Sequence, residues 1–286
     1  MSEECLHAMR HSAAHIMAAA VQKLFPDAKF DIGPSTEEGF YYDFDMSHRL
    51  TPEDLKEIEK EMRKMLGRKL PFERMEVSRE EAHKKFADLG QTFKLSRLDD
   101  IPEGEVVSLY QVGDFLDLCR GPHVEHSGQI GAVKLLSIAG SYFRGSEKNP
   151  MLQRIYGTAF ATKEDLQAYL DRIEEAKKRD HRRIGTEMEL FSTHEEIGPG
   201  LVCWHPNGAR VRHVIETFWK DAHYAHGYEL LYTPHVGRAL LWETSGHLDF
   251  YREGMYSSME IDDDPYYVKP MNCPFHIEIY KDRPRS

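Results

Sequence analysis

The apolar positions of the chain follow a helical rhythm near both ends of the first 180 residues and fall into shorter, strand-like runs between them. Residues 4–24 are rich in Ala, Met and Leu and hold no Gly or Pro, which predicts a helix stopping ahead of Phe25-Pro26. The stretch Phe30 to Phe44, broken by Gly33-Pro34 and Gly39 and closing on Phe40-Tyr41-Tyr42, predicts a hairpin. Thr51, Pro52 and Asp54 sign the start of a second helix that Gly67 stops, and Ser78 with Glu81 opens a shorter one to about Leu89. From there to Phe160 the text is strand-like. Thr162 with Asp165 then opens a helix whose acidic residues come early and whose Lys177-Lys178-Arg179 come late, as the helix dipole favours.

Composition shifts around Ile184, and Ile197-Gly198-Pro199-Gly200 is irregular, so a domain boundary is expected near 180–186. Beyond it a helix is predicted over 208–225, followed through Gly227 by a strand, YELLYTP, closed at Pro234. With one long helix and few strands, this second stretch reads as an unfinished domain. No repeat or low-complexity segment interrupts the chain.

Length and composition fit this division. At roughly 150 residues per domain, 286 residues make about two domains. A hydrophobic fraction of 41% with 11% aromatics argues against disorder. No run approaches the ~18 apolar residues of a membrane span, and MSEECLHAMRHSAAH lacks the pattern of a signal peptide, so a cytoplasmic location without membrane partners is expected. The net charge of −11 excludes binding of nucleic acid by bulk attraction. It is uneven: up to Ile184 there are 28 Lys+Arg against 32 Asp+Glu, and after it 9 against 16, so the first part is the better candidate to meet a polyanion. Cys5, Cys119, Cys203 and Cys273 are scattered without a CxxC, indicating neither a disulfide framework nor a zinc ribbon.

Three clusters carry candidate chemistry. His11 and His15, four apart on the opening helix, share one face. In a strand, Asp117 and Cys119 share a face, and Gly121-Pro122 can turn His123 back toward it. His11, His15, Cys119 and His123 would make a tetrahedral zinc set with Asp117 left over as orienter or substrate ligand; a buried cysteine beside a satisfied histidine is the competing reading, and spacing leaves both open. Lys94, between Phe93 and Leu95, reads as solvent-facing, and Tyr42 as core. In the third cluster Cys273 lies between Pro270 and Pro274, with His276 three residues on; two ligands do not make a metal site, and a loop cysteine is the plainer reading.

RHSAAHIM, IGPSTEEGFYYDFD, DLCRGPHV, AGSYFRG, MLQRIYGTAF, KRDHRRIG, GPGLVCWHPNG, GYELLYTP, LLWETSGHLDFY and VKPMNCPFHIEIY, in this order, resemble the threonyl-tRNA synthetases. The resemblance implies an α+β protein of two domains. Residues 1–182 would be an alanyl/threonyl-type editing domain, and 183–286 the first part of a class II antiparallel-sheet catalytic domain. Motif 1 would be the helix over 208–225 with its strand, and the chain would be cut before motif 2. The resemblance implies a family that joins threonine to tRNA(Thr) with Mg-ATP and zinc and forms homodimers through motif 1.

Serine keeps the hydroxyl by which a zinc-centred site selects threonine, so a second, hydrolytic site is needed to remove it from tRNA. That site would consist of His11, His15, Tyr42, Lys94, Asp117, Cys119 and His123. Asp117 would hold the ammonium of the misattached serine, His11 and Lys94 would position or deprotonate water, and Tyr42 and His123 would order that water and the terminal ribose. The alanyl relatives hold zinc at these His and Cys positions and the threonyl family is thought to work without it; the sequence leaves the choice open. Met271 and Cys273 would belong to a partial threonine pocket, with Cys273 a zinc ligand whose two partners lie beyond Ser286. Phe275 departs from the family's usual glycine. The chain is thus expected to deacylate seryl-tRNA without aminoacylating. The alternatives are a free-standing editing factor, a non-catalytic tRNA-binding or dimerisation protein, and a metal hydrolase acting on small substrates.

Overall fold

The computed structural model describes residues 3–102 and 104–284. Met1 and Ser2, which open the segment read as leader-free, and Arg285 and Ser286, which close the expected second domain, lie outside the described residues. The chain divides into two compact units, Met1–Asp180 and His181–Ser286.

The first unit opens with α1 (Glu3–Leu24), in which every residue from Ser12 to Val21 is buried. A helix enclosed on nearly all sides needs close neighbours, and Ala13, Ala14, Ala18, Ala19 and Ala20 allow them. The strands β1 (Lys29–Phe30) and β2 (Phe40–Asp45) pair antiparallel with Phe30 opposite Phe44, as the hairpin reading expected. In α2 (Pro52–Gly67) the Asp54 carboxylate accepts the Thr51 backbone N–H at 2.7 Å, and Leu55, Ile58, Met62 and Met65 line the buried face. Burial of each such side chain contributes about 1.5–3 kcal/mol.

Next come β3 (Glu73–Val77), α3 (Arg79–Asp88) with its Ser78–Glu81 capping box, α4 (Thr92–Asp99), β4 (Val107–Val112) and β5 (Phe115–Leu118). The long pair β6 (Ala132–Tyr142) and β7 (Met151–Phe160) follows, then α5 (Lys163–Lys178). One sheet runs β1-β2-β7-β6 and carries α1 and α2; the other runs β3-β4-β5, and both are antiparallel. Together with these helices the sheets make an α+β fold.

In the second unit, α6 (His181–Glu187) precedes the strand pair β8 (Phe191–Thr193) and β9 (Val202–Trp204), and then α7 (Pro206–Ala225). The strand β10 (Val236–Arg238), the short helices α8 (Ala239–Thr244) and α9 (His247–Phe250), the strands β11 (Met259–Ile261) and β12 (Asp264–Val268), and α10 (Cys273–Lys281) complete it. Its three-stranded sheet has the order β10-β12-β11. Phe275, the departure from the family glycine, packs against the fully buried Trp242 with ring centroids 5.6 Å apart.

Two expectations are corrected. Residues 92–99, read as strand, form α4: Phe93-Lys94-Leu95 imitates an alternating pattern, but the segment coils to bury Phe93 and Leu98, the latter in a cluster with Ala82 and Phe86 of α3. Residues 228–234, read as the motif 1 strand, have no strand assignment among the described residues. A strand exists only through its hydrogen-bonded neighbour, and none of the sheets includes this segment.

Candidate functional site

Seven residues from five segments meet at one place in the first unit. His11 and His15 come from α1, Tyr42 from β2, Lys94 from α4, Asp117 from β5, and Cys119 and His123 from the turn after it. Two glycines make room. A Cβ on Gly33 would lie 2.0 Å from the Tyr42 ring, and one on Gly121, whose φ is +79°, would lie 2.6 Å from the Tyr110 hydroxyl.

The rear of the site is buried. Tyr42, His15, Asp117 and Lys94 are 0, 1, 2 and 3% exposed, a degree of enclosure that demands internal partners for the charges. Tyr42 Oη donates to Asp117 Oδ2 at 2.6 Å, and His15 Nε2 lies 3.3 Å from the same oxygen. The Lys94 ammonium pairs with Asp117 Oδ1 and donates to Tyr42 Oη at 2.9 Å and to the Asp31 carbonyl at 2.5 Å. Two of its protons are therefore committed to hydrogen bonds, and its charge is paired with Asp117. Asp117 accepts one hydrogen bond, from Tyr42 on Oδ2, while Oδ1 is buried beside Lys94 without a hydrogen-bond donor. Burial and the neighbouring Asp117 push the Tyr42 hydroxyl well above its usual pKa.

Lys94 thus corrects the sequence reading twice, since it lies on a helix and is enclosed. An ammonium survives there because Asp117, 23 positions away in the chain, supplies the opposite charge. Tyr42 is core, as expected, and also part of the site.

The half-buried front is made by His11, Cys119 and His123. His11 Nδ1 lies 3.2 Å from the Pro122 carbonyl, which can only accept, so this nitrogen carries the proton. The Ser12 hydroxyl donates to the Ala8 carbonyl at 2.8 Å and accepts from the Val124 N–H at 3.0 Å, so His123 Nδ1, 3.0 Å away, must donate to it. Both imidazoles consequently turn Nε2 lone pairs toward the Cys119 sulfur, at 3.4 and 3.3 Å. His123 is further held between Phe72, stacked at 5.1 Å, and Tyr110, at 4.4 Å. Burial lowers the pKa of His11, lowers that of His15 and His123 further, and pushes the Cys119 thiol up to about 12. At neutral pH the group holds three neutral imidazoles and a protonated thiol.

The ligand atoms of His11, His15, Cys119 and His123 all lie within 4.8 Å of one another. His15 Nδ1 is fully buried without a partner. This donor set suits zinc, and the Pro122 carbonyl, Ser12 and Asp117 would orient the imidazoles from behind. Cys273 stands exposed at the start of α10 beside the exposed Met271, and among the described residues it belongs to no group of three or more such ligands.

Sequence reasoning missed Ser12 and Asp31. Ser12 had a signal, being a small polar residue between His11 and His15 on a helix rich in alanine. Asp31 contributes a backbone carbonyl, which no residue type reveals.

A profile of the family described as "Threonyl and Alanyl tRNA synthetase second additional domain" matches residues 107–156, which include Asp117, Cys119 and His123. "Threonine--tRNA ligase" of Dehalococcoides mccartyi (strain ATCC BAA-2266 / KCTC 15142 / 195) is 59% identical over 281 residues, covering 98% of this chain and 48% of that protein. The Acidithiobacillus ferrooxidans (strain ATCC 53993 / BNL-5-31) protein of the same name is 55% identical over 285 residues, 100% of this chain and 44% of that protein. Among solved structures, "Crystal Structure of the RNA binding domain of Threonyl-tRNA synthetase from Cryptosporidium parvum Iowa II" aligns at 33% identity and a TM-score of 0.35, covering 36% of this chain and 26% of that one. The chain spans about half the length of the curated relatives it matches. The resemblance to the threonyl-tRNA synthetases holds over the whole chain.

Proposed function

We propose, from the relation of this chain along its whole length to the threonine--tRNA ligases, that residues 1–182 form an editing domain that hydrolyses seryl-tRNA(Thr). The observation that carries the reading is the convergence of His11, His15, Tyr42, Lys94, Asp117, Cys119 and His123 into one group joined by hydrogen bonds and ion pairs. A water between His11 and the ester displaces the Cys119 thiol from His11 Nε2 and loses its proton to that nitrogen, which carries the lone pair because Nδ1–H is tied to Pro122. The hydroxide adds to the ester carbon, the bond to the ribose oxygen breaks, and that oxygen recovers the proton from His11. Serine and free tRNA leave.

Asp117 holds the serine ammonium at Oδ1, which takes no hydrogen bond within the fold. Lys94, paired as an ammonium with Asp117, supplies fixed positive charge rather than a base. Tyr42 acts on Asp117 and Lys94 from within the core, and His123 borders the reacting group. Exclusion of threonine's extra methyl is worth about 10–200-fold in rate. Single-turnover deacylation of seryl- and threonyl-tRNA(Thr) tests the reading. Faster loss of serine by about that factor, abolished by His11→Ala, is expected; equal cleavage of both esters, or of neither, overturns it.

A zinc-holding version of the site has one specific observation in its favour, the unpartnered and buried His15 Nδ1 beside two lone pairs aimed at Cys119. When bound there, zinc would polarise water or the ester carbonyl. Metal analysis of the purified chain, with deacylation assayed after chelation, separates the versions: full activity without bound metal removes the zinc reading.

Residues 183–286 we assign to the opening part of a class II catalytic domain acting on threonine and ATP in proteins of the relatives' length. Met271 and Cys273 would line the threonine pocket, and Cys273 would be a zinc ligand. Its α7 exposes Val211, Val214, Ile215, Phe218 and Trp219, an apolar face suited to a homodimer contact.

A further inference from the structure

The buried end of the site depends on where α4 delivers Lys94. With eight residues, this helix is too short to hold itself together in water, and its N-cap residue Gln91 makes no side-chain capping bond. Its polar face does something else. Gln91, Lys94 and Arg97, three apart and so on one side of the helix, all reach to residues 28–31. The Gln91 amide accepts the Phe30 N–H at 2.9 Å and donates to the Ala28 carbonyl at 3.1 Å. Arg97 grips the Asp31 carboxylate with two bonds, of 2.7 and 2.9 Å, while the carbonyl of the same Asp31 receives the Lys94 ammonium at 2.5 Å.

Asp31 is itself fixed. It is 2% exposed, and its N–H donates to the Asp43 carbonyl on β2 at 3.0 Å. One residue anchored to the main sheet therefore holds α4 at two points one turn apart.

We propose that Asp31 and Arg97 are positioning residues of the hydrolytic site, fixing Lys94 against Tyr42 and Asp117 through the two-pronged Asp31–Arg97 pair. The inference rests on the editing reading above. Neither residue belongs to the seven that touch one another at the centre, and Arg97, unlike Lys94, reaches neither Tyr42 nor Asp117. Its effect on the reaction has to pass through the placement of α4. Forked guanidinium–carboxylate geometry supplies direction as well as energy, and small misplacement of a group at a reacting centre costs up to about 100-fold in rate.

The test is single-turnover deacylation of seryl-tRNA(Thr) by the full chain carrying Asp31→Asn, Arg97→Gln, both together, and Arg97→Lys, alongside Lys94→Ala with and without Asp31→Asn. Each of Asp31→Asn and Arg97→Gln is expected to slow the chemical step by about 10–100-fold with seryl-tRNA affinity held within about threefold. The double variant should be no slower than the slower single one, because both remove the same grip. In the Lys94→Ala protein, Asp31→Asn should change the rate by less than about threefold. Arg97→Lys keeps the charge without the fork; should Arg97→Gln fail to fold, this variant carries the test, with slowing by about tenfold or more. Rates like wild type, or losses that multiply in every background, overturn the proposal. A wild-type chain that leaves seryl-tRNA intact would instead overturn the editing reading, and this inference with it. Deacylation lost in Lys94→Ala but untouched by the Asp31 and Arg97 variants would sink the inference alone.

Discussion

Tyr42 gives its only hydroxyl proton to Asp117, 2.6 Å away, and meets the Lys94 ammonium with a lone pair. Removing that hydroxyl leaves Lys94 one acceptor short and Asp117 one donor short in the buried rear of the site. Tyr42→Phe is accordingly expected to lower unfolding free energy by about 1–3 kcal/mol and to slow seryl-tRNA deacylation by about 10–100-fold. Urea titration and single-turnover kinetics check the two effects; an unchanged rate would mean that the phenol serves packing alone.

Among the described residues, Ser12 is the one side-chain hydrogen-bond partner of His123 Nδ1, and its hydroxyl also receives the Val124 N–H. Ser12→Ala strips a partner from both donors at once. A stability loss of about 1–3 kcal/mol is expected, with metal affinity or hydrolytic rate down about 10–100-fold. Ser12→Thr, which keeps the oxygen but adds a methyl in a fully buried position, should lose stability through crowding while retaining the tautomer. Histidine nitrogen shifts by NMR distinguish the two: a His123 tautomer unaltered by Ser12→Ala would contradict the assignment.

The buried imidazoles set an acid limit on the fold. His15 and His123 have folded pKa values below the ordinary 6.5, so the unfolded chain takes up protons first as pH falls. Their contribution is complete above about pH 6.5 and is lost progressively below it, at up to about 1.4 kcal/mol per pH unit for each histidine. Urea midpoints of the metal-free protein should decline from pH 7 to pH 5, a range above the ordinary carboxylate titrations. A flat or rising profile over that interval would show that these rings are already protonated in the fold.

Phe218 is 74% exposed in the middle of the apolar face of α7. Self-association through this face predicts a sedimentation coefficient that rises with concentration and collapses to the monomer value in Phe218→Glu, with deacylation unaffected. If both proteins sediment identically at all concentrations, α7 is not the contact.

Helices with chemical punctuation were readable before any coordinates. Thr51-Pro52, Ser78 with Glu81, and Thr162 with Asp165 each begin a helix at the place their side chains indicate. By contrast α4 has no such mark: its interaction with the sheet runs through Asp31, 63 and 66 residues from Lys94 and Arg97. The lysine's burial was hidden for the same reason, since its counter-charge sits on β5, far along the chain. The segment 228–234 shows the opposite failure, a good strand composition without an edge to pair with. In the site itself, the spacing of His11 and His15 could place two rings on one face, but the tautomers of His11 and His123 follow from Pro122 and Ser12, whose relevance only three-dimensional proximity discloses.

Because α1 carries His11, Ser12 and His15 through a run of buried residues, the site cannot loosen without loosening the interior of the first unit. Amide protons of Ala13 to Val21 should therefore be among the last in the chain to exchange with solvent, opening only when the whole unit unfolds. On heating, hydrolytic capacity would disappear at the same temperature as the fold rather than before it, leaving no warm state in which the protein is intact but has stopped correcting its substrate.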